Sequence, residues 1–121
     1  MSAKNIVTLL GVVFLVLGIW GFFTSEILGL FAVDTVHNVI HLVSGIVALA
    51  MAARGEDSAR VFAQVFGAAY AIITIVGLLW PNDHVLGMVT IDTAGNFLHL
   101  VLAVVLIWIG YRREGVTVRT M

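Results

Sequence analysis

The sequence predicts an all-α integral membrane protein, a four-helix bundle made of two repeated transmembrane helical hairpins with both termini on the cytoplasmic side. Three observations carry this prediction. The 121 residues are 61% hydrophobic and only 11% charged, with a mean hydropathy of +1.12, more apolar surface than a soluble core of this size can hide. The apolar residues fall into four runs, each near the roughly 20 residues that cross a bilayer as a helix. The stretch Asp34-Thr35-Val36-His37-Asn38-Val39-Ile40-His41-Leu42-Val43 returns as Asp92-Thr93-Ala94-Gly95-Asn96-Phe97-Leu98-His99-Leu100-Val101, 58 positions later (92 − 34, 99 − 41).

The first span covers about residues 6–23 after a short polar start with Lys4. It is too long for the apolar segment of a signal peptide, and Phe22-Phe23-Thr24-Ser25-Glu26 offers no small-x-small cleavage site. A loop follows, from Thr24 to Val33. Asp34 then supplies the N-cap of the second span, about 35–53. Arg54 to Arg60 is the most polar segment and reads as a turn, placing the third span at about 60–80. Pro81 ends it, because proline lacks a donor and restricts the residue before it. After a second loop, Asp92 is the N-cap of the fourth span, about 93–111. The chain is thus one four-span domain, 1–121, with an internal repeat of about 6–53 and 60–111. Compared at the 58-residue offset, the second and fourth spans carry the repeat and the first and third match loosely.

Lys4, Arg54, Arg60, Arg112, Arg113 and Arg119 lie at the termini or in the middle loop, and the other two loops hold acidic residues instead. The positive-inside rule therefore puts both termini in the cytoplasm. Trp20 and Trp80 mark the outer interface, and Trp108 and Tyr111 the inner one. Helical spacing gives each span a stripe of small or polar residues, such as Gly11, Gly18 and Gly21 on the first, through which membrane helices approach closely.

Asn-x-x-His-Leu at the head of the second and fourth spans, Gly-Leu-Phe-Ala-Val before the first copy, and Ser-Ala-Arg opening the third span resemble a known family. The chain is similar over nearly its whole length to the small four-span bacterial membrane proteins grouped as domain of unknown function 4383. The resemblance implies the fold and a bacterial cytoplasmic (inner) membrane location, and it implies no activity. Ala103 stands at the place of Gly45, where a second Gly is expected.

Composition excludes several functions. With no Cys there is no disulfide, thiolate metal site or Cys nucleophile, and no basic face is present to bind nucleic acid. No catalytic residue is assigned. The spans carry almost no charge, which argues against a transporter or channel unless the protein oligomerises. What remains is a symmetric site of Asn38, His41, Asn96 and His99. Polar side chains inside a membrane are expensive and mark functional candidates. His41 lies six residues into its helix, roughly 9 Å at 1.5 Å per residue, with His99 at equal depth and each Asn one turn above.

Four uses follow. The Asn and His residues hydrogen-bond across helices and fix the bundle register. They form the site of a non-enzymatic binding module or an accessory subunit of a membrane complex. Alternatively, His41 and His99 are the axial ligands of a haem b, or donors to a quinone. A metal on the i, i+4 pair His37 and His41 is the weakest, because Gly95 replaces His37 in the other copy. The expected partners are the lipid bilayer and, beyond it, further copies in a homo-oligomer or a larger membrane complex.

Overall fold

A computed structural model describes residues 2–24, 26–27, 29, 31–32, 34–80, 84–85, 89–90 and 93–112. Four helices dominate it: α1 (Ala3–Gly21), α2 (Thr35–Ala53), α3 (Glu56–Leu79) and α4 (Thr93–Tyr111). All four are long and apolar enough to cross a membrane, and the molecule is an all-α multi-pass membrane protein. Large apolar side chains cover its outside, with Phe23, Leu79 and Phe97 among the most exposed. That surface suits acyl chains and would be unstable in water.

Local chemistry sets the helix ends. The Ser2 side chain accepts a hydrogen bond from the Asn5 N–H at 3.1 Å, so α1 begins at Ala3 rather than at residue 6. Asp34, in extended backbone, accepts from the His37 N–H at 2.8 Å and is the N-cap of α2. The turn after α2 is shorter than the segment 54–60 suggests. Gly55 takes φ +123°, which L side chains rarely adopt, and α3 starts at once with Glu56 and Asp57 in its first turn, where the helix dipole favours acids. Trp80, preceding Pro81, is extended and ends α3.

Where the sequence reading has only loops, each holds a two-residue antiparallel pair. β1 (Glu26–Ile27) pairs with β2 (Phe31–Ala32), and β3 (His84–Val85) pairs with β4 (Val89–Thr90). Gly29, at φ +67°, turns the first hairpin. The second pair lies 58 positions after the first (84 − 26, 90 − 32). The two cross over: β2 packs against α4 and β4 against α2.

The tight helix pairs are α1 with α2 and α3 with α4, joined chiefly through α3 against α1 and α2. Glycines make the tight pairs. A Cβ at Gly11 would meet Leu49 and Ala48, and one at Gly67 would meet Ile107 and Leu106. These are equivalent contacts, with the second helices offset by 58 and the first by 56 (107 − 49, 67 − 11). The buried faces agree: Ala3, Val7, Gly11, Phe14 and Gly18 on α1 correspond to Ala59, Ala63, Gly67, Tyr70 and Thr74 on α3. The first and third spans therefore repeat as well, two residues out of step with the motif. The difference is absorbed before the second strand pair: Gly18 to Glu26 is eight residues, and Thr74 to His84 is ten.

Candidate site at the junction of the hairpins

The terminal end of the bundle is apolar and closely packed, with Val7, Ala48, Ala52, Phe62, Leu106 and Ile109 all buried. Two polar contacts close it. Gln64 Nε2 donates to the Gly110 carbonyl at 2.7 Å. The Glu56 carboxylate accepts from the Ala3 N–H at 2.8 Å and from the Lys4 N–H at 2.9 Å, capping α1 from α3. Desolvation opposes the Glu56 charge. The two N–H donors, helped by Arg60 and Arg112, outweigh it and hold the carboxyl below its ordinary 4.5.

The half nearer the strand pairs is different. Phe14 of α1 stacks on His41 of α2, centroids 5.8 Å apart and planes within 9°. Tyr70 of α3 stacks on His99 of α4 at 5.5 Å. By the offsets above, these are the same contact in the two repeats. Phe14 and Tyr70 then meet at 6.0 Å, joining the hairpins. His37 closes the circuit, 4.3 Å from His41 and 5.9 Å from His99. Five rings from four helices thus form one closed cluster, with His41, His99, Phe14 and Tyr70 buried and His37 half-buried.

The four residues expected to form the site part company here. His41 and His99 come together at the junction, bridged by His37. Asn38 is 2% exposed but does not face the bundle axis. Its amide lies on the backbone of Gly21, where any Cβ would collide with it, so it packs within its own hairpin. Asn96 is half-buried one turn above His99. Asp92 lies outside the described residues. The polar atoms Asn38 Oδ1, Asn96 Oδ1 and His41 Nδ1 are buried without a hydrogen-bond partner among the described residues. Asn38 Oδ1 at least rests against a glycine Cα, which offers a weak C–H donor.

Gly95 takes the place of His37 in the second repeat, so one copy alone supplies the bridging imidazole. Among the described residues no group of three or more His, Asp or Glu side chains converges as a metal site. Phe14 and Tyr70 are absent from the sequence-derived site because an aromatic in an apolar span carries no polar signal. The trace that identifies them is Gly11-x-x-Phe14 repeated as Gly67-x-x-Tyr70.

A family model described as Domain of unknown function (DUF4383) matches residues 4–111. No curated protein and no solved structure matches the chain.

Proposed function

The chain belongs to this family, and we propose that it works in the membrane as a small, non-enzymatic binding module, alone or as an accessory subunit of a larger complex, with the five-ring cluster as its site. The observation that carries the reading is His41: an imidazole more than nine-tenths buried, stacked on Phe14 of its own hairpin, whose Nδ1 has no protein partner among the described residues. Interhelical hydrogen bonds in membrane proteins contribute about 0.6 kcal/mol each, whereas a buried unsatisfied polar group costs about 1–3 kcal/mol. Side chains kept only as glue should be paired. Here two acceptors of the expected site, on His41 and Asn96, have no hydrogen-bond partner among the described residues.

Haem b is disfavoured by the same geometry. A macrocycle would have to lie between His41 and His99, and it would have to clear the His37 ring, which is 4.3 Å from one and 5.9 Å from the other. Passage through a single copy is disfavoured by the apolar packing of the terminal half.

The distribution of basic residues supports an orientation with both termini on the cytoplasmic side and the strand pairs, with the site beneath them, outside. A Cys replacing exposed Glu26 should react with a membrane-impermeant thiol reagent in intact cells, and one replacing exposed Asp57 only after lysis; the reverse pattern would invert the orientation. The binding reading is tested by extracting purified wild type, His41→Phe and His99→Phe with organic solvent and comparing small molecules by mass spectrometry. A species held by wild type and lost from both variants is expected. Identical extracts would remove the case for a binding module.

A further inference from the structure

We infer that the site takes a flat, neutral, hydroxyl-bearing ring of the quinol type, admitted sideways from the bilayer between α2 and α4; this rests on the binding reading above. The ligand class follows from the atoms left unpaired. Asn96 Oδ1 can only accept a hydrogen bond, and His41 Nδ1 accepts one when the ring proton sits on Nε2. The complement is a hydrogen-bond donor. A cation is unsuitable, because α2 and α4 both begin at this end and their N-termini carry partial positive charge. Phosphate or carboxylate is unsuitable too: it has acceptors where donors are needed, and no Lys or Arg lies among the cluster residues. A neutral O–H remains. The walls are aromatic rings, which receive another flat ring by offset stacking.

The route follows from the packing. α2 and α4 approach each other much less closely than the partners within either hairpin, and the imidazoles of His37, His41 and His99 occupy the seam. On the α4 side, Gly95 presents no side chain where α2 has His37. Above the seam, β2 leans on α4 and β4 on α2, so the strands roof the site against water. Away from the seam both helices present Val, Ile, Leu and Phe to the acyl chains. A ring carried on an apolar tail fits this arrangement, with the tail left among the lipids. His37, half-buried in the first turn of α2, is the ring that gives way to let it reach His41.

A quinone has carbonyl acceptors in place of the two hydroxyls, so the site distinguishes the two oxidation states by binding alone. The test is the melting temperature of the detergent-purified full chain, titrated with a short-chain p-benzoquinol held reduced and, separately, with its quinone. The quinol should raise the midpoint saturably, on the order of 10 °C at a hundredfold excess over Kd, and the quinone should raise it less. His41→Phe keeps a flat ring against Phe14 and should lose the rise; if that variant fails to fold, Asn96→Leu, at a half-buried position, removes the second acceptor and should lose it too. Equal rises with both compounds, or a rise retained in the variants, would mean partition into the detergent and overturn the inference. If the quinol has no effect while solvent extracts still show another molecule lost in His41→Phe, the ligand class is wrong and the binding module stands. If neither appears, both are wrong.

Discussion

In the first hairpin a Cβ at Gly11 would meet the Leu49 side chain and the Ala48 Cβ; in the second, a Cβ at Gly67 would meet the Ile107 side chain and also backbone, Ile107 N at 2.9 Å and the Leu106 carbonyl carbon at 3.2 Å. The hairpins share a plan and fill it differently. Ala48, Gly45 and Ala52 of α2 correspond to Leu106, Ala103 and Gly110 of α4, so the larger side chain is on α4 at two levels and on α2 at the third. At Gly110 the α3 backbone again comes close, with Gln64 N 2.8 Å from a Cβ built there, whereas Ala52 already carries one. Spacing between helices is thus set locally by which partner has the small residue.

The sharpest way to break this comparison is one methyl group at matched positions. Gly67→Ala and Gly110→Ala should each destabilise by about 2–3 kcal/mol, because helix backbones must separate, and Gly11→Ala by about 1 kcal/mol, because the Leu49 side chain can turn aside. Reversible unfolding in mixed micelles measures all three. Equal losses at Gly11 and Gly67 would show that the hairpins are interchangeable after all.

How much of this the sequence discloses depends on which residues carry the signal. Hydropathy reveals the spans, and the repeated Asp-Thr-x-x-Asn-x-x-His marks α2 and α4. The glycines of α1 stand out against a background of Val and Leu. The partners of the histidines do not, because Phe14 and Tyr70 sit in apolar runs and their repeat is displaced by two residues from the motif that draws attention. Asn38 and His41 look like one site in the sequence, as neighbours one turn apart. The side chains then diverge, Asn38 onto Gly21 and His41 onto Phe14, and spacing alone cannot separate them. Glu56 is the least legible: its value lies in capping a helix 53 residues away, and locally it is one more charge in a polar turn.

That cap sharpens a second contrast, between a terminal end held by charge and a strand end held by rings. Glu56→Ala should cost about 1 kcal/mol, as loss of an N-cap does, with Glu56→Gln intermediate. The Glu56 carboxyl is held below 4.5 in the folded protein. Its contribution is therefore complete above the unfolded value and is lost as pH falls through the lower folded one. Wild type should lose stability on acidification through that window relative to Glu56→Gln, measured as unfolding midpoints from pH 6 downward. Parallel curves would mean that the carboxyl titrates alike in the folded and unfolded chain, and so is not held by the cap.

The smallest expected effect is the most direct comparison of the hairpins, because Phe14 and Tyr70 hold equivalent places and differ by one oxygen. If the aromatic ring alone matters at this level, Tyr70→Phe makes the two stacks alike and changes stability by less than about 0.5 kcal/mol, since both rings already pack on an imidazole at nearly equal distance. If the hydroxyl is hydrogen-bonded, its loss should cost about 1 kcal/mol. The converse substitution, Phe14→Tyr, separates the cases further. Phe14 is 1% exposed, so a hydroxyl added there must find a partner or be buried without one at about 1–3 kcal/mol. A neutral Tyr70→Phe beside a costly Phe14→Tyr would place the asymmetry of the cluster in the space around the rings, on the side where His37 has no counterpart.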